Sequence, residues 1–185
     1  MSEPVLEGAR LSLVPLLEEH ADALLPALSC PDLYTFIPTM PPSDLSELRA
    51  RFRRLEKRAS PDGTERWLNW AARLGAGSAW VGLFEATIRA DRTALLAYFV
   101  FADHQRRGLG IEGAGLVVSH LFRACGVSLV SARIDTRNAA SIRLVERVGF
   151  SRVAVIPGAD HFKGSASDEY EYALAAPPPP PPPPP

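Results

Sequence analysis

The chain has 185 residues, of which 46% are hydrophobic, and a net charge of −1. This balance suits one globular domain with its own core, and so weak a global field argues against nucleic acid or an anionic membrane surface as main partner. Two cysteines, Cys30 and Cys125, are too few for a disulfide scaffold and show no metal-ligand spacing, so no metal is expected. The opening MSEPVLEGARLSLVP lacks a basic start followed by a long apolar run, and no window reaches about eighteen consecutive apolar residues. The expectation is a cytoplasmic protein with no membrane span.

Residues 10–14 (RLSLV) alternate apolar and polar, the pattern of a short strand ending at Pro15. Residues 18–28 set Ala21, Leu24, Leu25 and Leu28 on one helical face. Pro31, Pro38, Pro41 and Pro42 then break the chain into turns. Ser43 or Asp44 can cap the next helix, whose apolar stripe is Leu45, Leu48, Phe52 and Leu55. Its other face carries Arg49, Arg51, Arg53, Arg54, Lys57 and Arg58. That face is either solvated, with internal pairing to Glu47 and Glu56, or a basic wall beside an acidic substrate, or a contact to a ribosome.

Three extended segments follow, residues 66–74, 80–89 and 93–102, separated by short gaps as in antiparallel hairpins. The pattern then changes to a helix over 108–124, a strand over 127–134 and a helix over 138–148. Closing strands are expected at 150–156 and 169–174. Hairpins first and a βαβ-like unit second imply an α/β domain with a mixed sheet over residues 1–176. Nine consecutive prolines, 177–185, form a separate extended tail.

The stretch YFVFADHQRRGLGIEG, residues 98–113, runs from an apolar strand through a basic, glycine-bearing turn into a helix. Helix N-termini leave amides unpaired at the positive end of the dipole, and glycine lets an anion approach them. Arg106 and Arg107 add charge to the same turn, so a pyrophosphate is the expected ligand. Read one way, Gly108, Gly110 and Gly113 spell GxGxxG, with Asp135 22 residues further on as a ribose-binding acid. Against a dinucleotide site, residues 102–107 separate strand from glycines, a meander precedes the motif, and little chain remains for an alternating parallel sheet. Read the other way, Gln105-Arg106-Arg107-Gly108-Leu109-Gly110 fits Gln/Arg-x-x-Gly-x-Gly/Ala.

A second motif, IDTRNAASIRLVERVGF, spans residues 134–150. Asn138 stands at a helix start, Ser141 follows three residues later, and Gly149 supplies the left-handed position that ends the helix. A late His161, Phe162, Gly164, Asp168, Glu169 and Tyr172 complete the pattern. Together these motifs resemble the GNAT acetyltransferase superfamily, in particular its Rim-type ribosomal-protein N-terminal acetyltransferases.

The resemblance implies a mixed, mostly antiparallel sheet of about six or seven strands flanked by about four helices. It implies acetyl-CoA as cosubstrate and a primary amine, from a protein N-terminus or a small molecule, as acceptor. The splayed strand along the pantetheine arm is then Tyr98 to Phe101, with Phe99, Val100 and Phe101 as cofactor-binding residues. Gln105, Arg106, Arg107, Gly108, Leu109 and Gly110 hold the pyrophosphate. Asn138 bonds the pantetheine or helps fix the surroundings of the acceptor amine, and Ser141 is the candidate general acid for the departing thiolate. Direct attack by the amine needs a base. The candidates are Glu85, Asp103, His104, Glu112, His161 or a water chain. Glu85 ranks first, because a carboxylate on a strand face between Leu83 and Thr87 is unusual unless it serves a site.

The acceptor wall is expected from residues 33–69 and 157–164, with Trp67, Trp70, Tyr34 and Phe36 as lining. Protein alanine N-termini, aminoglycoside amines and polyamines are all open as acceptors, and such folds commonly form homodimers. Competing readings are a non-catalytic acyl-CoA-binding module and a nicotinamide-dependent oxidoreductase.

Overall fold

The computed structural model describes residues 3–75, 77 and 79–178. Most of the proline tail therefore lies outside the described residues. The strands are β1 (Leu6–Glu7), β2 (Leu11–Pro15), β3 (Arg66–Leu74), β4 (Trp80–Ile88), β5 (Thr93–Val100), β6 (Leu129–Asp135), β7 (Ser151–Phe162) and β8 (Ser165–Ala175). The helices are α1 (Ala21–Leu28), α2 (Leu45–Leu55), α3 (Leu109–Arg123) and α4 (Ala139–Val148). One sheet holds all eight strands in the order β1-β2-β3-β4-β5-β6-β8-β7, and only β5–β6 is a parallel pair.

The sheet has one strand more than the expected six or seven. The addition, β1, is two residues long and too short to show alternation. The last two strands also run past their expected ends. Pro157 and Gly158 read as strand breakers, but a register shift between Ile156 and Asp160 absorbs them as a bulge on the sheet's edge. The first helix opens as a 3-10 turn, Glu18–His20, before α1 begins.

Alternation along the strands feeds two cores. On one face Leu68, Trp70, Phe84, Ala86 and Leu96 pack with Val117 and Leu121 of α3 and Val145 of α4. On the other, Ala71, Leu83 and Phe101 pack with Leu24 and Leu28 of α1 and Leu48 and Phe52 of α2. Asp44 caps α2 by accepting from the Glu47 amide at 2.8 Å. The basic face of α2 is largely spent on internal pairs. Arg49 bonds Asp22 at 2.7 Å, Arg53 bonds Glu18 at 2.7 Å, and Arg51 reaches Glu85 at 3.3 Å. Glu47 and Glu56, the partners expected from sequence, instead bond Ser43 and the Glu18 amide.

Candidate active site

The parallel pairing of β5 with β6 covers three positions only, Thr93↔Leu129, Ala94↔Val130 and Leu95↔Ser131. Beyond them the strands part: β5 continues to Val100 against β4, and β6 to Asp135 against β8. A notch opens in the middle of the sheet. Strand alternation decides which backbone groups face it. The Arg89 amide donates to Thr93 and the Phe101 amide to the Val81 carbonyl, so odd-numbered residues of β5 bond to β4. Leu96, Tyr98 and Val100 therefore aim their main-chain groups into the notch.

At the end of β5 the chain passes through a 3-10 turn, Ala102–His104, into the basic turn. Arg106 and Gly108 are both left-handed, at φ 58° and 77°. Gly108 caps α3, and the first amide there to find a partner is that of Glu112, which donates to the Gly108 carbonyl at 3.2 Å. Among the described residues the amides of 106–111 make no hydrogen bond. Such a left-handed turn at a helix N-terminus is a concave set of donors for an anion. The turn is braced by Arg10, whose Nη1 donates to the Arg107 carbonyl at 2.8 Å, and by Gln105, whose Nε2 donates to the Val100 carbonyl at 3.0 Å.

On the far side of the notch, Asn138 caps α4. Its Oδ1 accepts from the Ser141 amide at 3.1 Å, and its Nδ2 has no partner among the described residues. Tyr98 donates its hydroxyl to the Ser141 carbonyl at 3.3 Å. Ser141 is thus held by both backbone groups while its own hydroxyl makes no bond among the described residues.

The structure sorts the predicted residues. Val100, Gln105, Arg106, Arg107, Gly108, Leu109, Gly110, Asn138 and Ser141 surround the notch and its turn. Phe99 is on β5 but points its amide to β4, with its ring 5.6 Å from Tyr34. Phe101 has nothing to offer a cofactor: its ring is buried, its amide is given to Val81, and its carbonyl accepts from His104. Tyr98, on the strand expected to splay, aims its amide into the notch, and so does Leu96, which lies outside that expectation because only the paired register of β4 and β5 fixes which amides point inward.

Among the candidate bases, Glu112 is engaged elsewhere. It accepts from the Arg10 amide at 2.7 Å, Arg10 Nε at 2.8 Å and the Leu11 amide at 3.1 Å. Burial opposes its charge, but these bonds outweigh burial and hold its carboxyl below the usual range. Asp103 and His104 sit on the turn before α3, and His161 is exposed on β7. Glu85 faces α2, its side chain 24% exposed. Burial pushes its carboxyl up, and the Arg51 guanidinium pulls against that rise. Trp67, Asn69, Thr87, Arg54 and Leu55 line a cavity of about 190 Å³ with it. Trp70, expected on the acceptor wall, is fully buried on the α3 face and donates to the Pro4 carbonyl at 3.2 Å. Tyr34 is also buried, its hydroxyl bonded to Leu28.

Asp135, the acid of the dinucleotide reading, is held by Arg137 at 2.6 Å and Ser167 at 2.6 Å, and is 4% exposed. It has no free face for a ribose, and one parallel pair in eight strands is not a doubly wound sheet. Among the described residues no cluster of His, Cys, Asp or Glu could hold a metal, and no helix is long and apolar enough to cross a membrane.

A central sheet split beside a turn of free amides defines a transferase built around a phosphate-bearing acyl carrier. The chain belongs to the GNAT family: the family described as acetyltransferase (GNAT) domain matches residues 10–151. It is an acetyl-CoA-dependent N-acetyltransferase. A curated relative, the uncharacterized N-acetyltransferase YoaA of Bacillus subtilis, is 24% identical over 92% of this chain and 96% of its own. Among solved structures, RimL, a ribosomal L7/L12 α-N-protein acetyltransferase in complex with coenzyme A, superposes with a TM-score of 0.82. It is 18% identical, over 93% of this chain and 98% of its own. The spermidine N-acetyltransferase of Vibrio cholerae, in complex with CoA and spermine, gives 0.79 at 14% identity, over 91% and 96% of the two chains.

Proposed function

We propose that this site acetylates a primary amine by direct transfer, with Glu85 taking the amine's proton and Ser141 protonating the leaving sulfur. The parting of β5 from β6 after Leu95 and Ser131, beside the unpaired amides of 106–111, is the observation that carries the reading. The fit of the cosubstrate rests on that geometry: the turn from Gln105 to Gly110 offers donors to a diphosphate, and the notch offers main-chain groups of Leu96, Tyr98 and Val100 to an amide-bearing arm. Acetyl-CoA supplies the thioester-activated acetyl group.

The chain's own residues then have few tasks. A thiolate leaves readily, so alignment is the main contribution. One N–C bond forms and one C–S bond breaks. The inward amides of β5 are placed to polarise the reacting carbonyl. Glu85 stands one strand in from the notch, roughly 5 Å of sheet away. That spacing is spanned by direct approach of the acceptor or by one water. Its raised proton affinity suits a base working near neutral pH. The Ser141 hydroxyl, free of other bonds, is available to the sulfur, and Asn138 Nδ2 to the pantetheine.

The acceptor is a small amine or a protein N-terminus, as named for the spermidine and ribosomal-protein acetyltransferases of the same fold. The test is thiol release from acetyl-CoA against peptides with free N-termini, aminoglycosides and polyamines, with product mass as a second readout. A mass gain of one acetyl group on at least one amine is expected. A calorimetric titration with coenzyme A giving no heat would remove the reading; binding without turnover of any amine would leave a non-catalytic acyl-CoA-binding module.

A further inference from the structure

Asn69 on β3 and Glu85 on β4 are directly paired in the antiparallel register, so their side chains share the face that looks onto α2. Both line the same cavity, with Trp67, Thr87, Arg54 and Leu55. Asn69 is 3% exposed, yet its Nδ2 has no hydrogen-bond partner among the described residues. A buried amide left without an acceptor loses its bonds to water and gains none in return, and such orphans are rare in folded chains. Nothing in the fold needs this one. The backbone at Asn69 is fixed without the side chain: its carbonyl accepts from the Leu16 amide at 2.8 Å and from Arg58 Nη1 at 3.1 Å. The neighbours also hold their own bonds. Trp67 Nε1 donates to Glu65 at 3.0 Å, and Arg51 reaches Glu85 at 3.3 Å. A leucine, branched at Cγ in the same way, would occupy the position with no polar atom unmatched.

We infer that Asn69 is a specificity-determining residue of the acceptor subsite, donating from Nδ2 to a carbonyl oxygen that lies beside the amine taken by Glu85. This rests on the acetyl-transfer reading above and names its acceptor class. Side chains directly opposite on antiparallel strands start about 4.5–5.5 Å apart. Their polar ends are therefore set to meet two atoms of one small fragment. Glu85 accepts from the nitrogen, and Asn69 donates to an oxygen on the next carbon. That fragment is an α-amino carbonyl compound. An amine without such an oxygen, a polyamine included, leaves the buried Nδ2 as it is. A site built around a hydrogen bond discriminates strongly against ligands that lack the partner.

The experiment measures kcat/KM, referred to the free-amine fraction, for alaninamide, alaninol and 2-aminobutane. They are of similar size and carry a carbonyl, a hydroxyl and no oxygen. The native chain is expected to prefer alaninamide over 2-aminobutane by about 10²-fold or more. In Asn69→Leu the preference should collapse to within about tenfold, mainly through loss of alaninamide turnover, while the melting temperature holds or rises because a buried orphan is gone. Asn69→Ala serves as the second variant if leucine disturbs folding, and should give the same collapse. No preference in the native chain, a preference that survives in both variants, or a preference for alaninol over alaninamide overturns the inference. So does silence with all three probes while other amines are acetylated. If coenzyme A binds but no amine of any class is turned over, it is the acetyl-transfer reading that fails, and this inference with it.

Discussion

The Tyr98 hydroxyl, donating to the Ser141 carbonyl at 3.3 Å, ties the free edge of β5 to the first turn of α4 across the notch. Burial pushes the Tyr98 phenol up to about 12, so at neutral pH it is a neutral donor that holds this bond and does not act as an acid. Asn138 fixes the Ser141 amide from the other side. The serine hydroxyl is thus presented on a turn clamped at both backbone groups, which suits the acid role proposed for it.

These two residues separate chemistry from positioning. Ser141→Ala removes the proposed proton donor and should lower kcat by about 10²–10⁴ with the KM for acetyl-CoA nearly unchanged. Tyr98→Phe keeps the hydroxyl of Ser141 and loosens the turn. It should cost about 0.5–1.5 kcal/mol of stability and reduce kcat less than tenfold. Steady-state kinetics and thermal melts on both variants check this. A large rise in acetyl-CoA KM for Ser141→Ala moves the serine into the binding role.

The pH profile tests Glu85. Its carboxyl is raised by burial, so the carboxylate form that accepts a proton is lost as pH falls, at a pH above the usual carboxylate range. The acid limb of kcat/KM should sit there. Arg51 opposes the rise, so Arg51→Met should move the limb to still higher pH. Glu85→Gln should abolish the limb and lower the rate. A raised carboxyl favours the neutral form in the fold, a contribution present at low pH and lost as pH rises through the folded value. Glu85→Gln should therefore not destabilise the chain at neutral pH. A limb left in place by Arg51→Met would exclude Glu85 as the group being titrated.

Local pattern carried much of this architecture. The strand expected at 66–74 is β3 to the residue, because its β-favouring residues and the turns on either side of it are local signals. The phosphate turn was legible for the same reason: anion binding at a helix start needs only glycine, charge and a preceding strand, all contiguous. Illegible were the relations between distant segments. Arg10 braces that turn through Arg107, 97 residues away, and nothing near Arg10 announces it. Trp70 and Trp67 look alike in sequence, yet a strand's two faces send one into the α3 core and the other to the cavity beside Glu85. Residue 69 closes the wall region expected at 33–69, but only the pairing of Asn69 with Glu85 sets the two side chains together in that cavity.

Glu112 illustrates a motif residue whose work is structural. Its carboxylate joins the β1–β2 turn to α3 through three donors of Arg10 and Leu11. Glu112→Ala leaves those donors without their acceptor and should cost about 1–3 kcal/mol. For a chain of this length that is a fall of about 3–10 °C in melting temperature. The Glu112 carboxyl is depressed in the fold, so its stabilisation is present at neutral pH and is lost as pH falls below the usual carboxylate range. The gap between native and variant melting temperatures should narrow in acid. Coupling kcat to the same melts identifies the role: a rate loss at temperatures where the variant is fully folded would restore Glu112 to the list of bases.

Two glycines inside α3 look equivalent in sequence, each costing about 1 kcal/mol of helix propensity against alanine. They should nevertheless respond in opposite directions. A Cβ at Gly113 would lie 2.2 Å from Phe84 Cζ, inside a ring that is fully buried between sheet and helix. Gly113→Ala therefore forces the helix off the sheet, and overpacking of about 1–3 kcal/mol offsets or exceeds the propensity gain. A Cβ at Gly115 meets nothing within 4 Å, so Gly115→Ala keeps the gain and should raise stability by about 0.5–1 kcal/mol. The close approach at Gly113 also sets how α3 lies against β4, and so where its N-terminal amides stand beside the notch. Gly113→Ala should raise the KM for acetyl-CoA, whereas Gly115→Ala should leave it unchanged. Denaturant melts with coenzyme A titrations on both variants decide the matter, and equal behaviour of the two would contradict the packing described for α3.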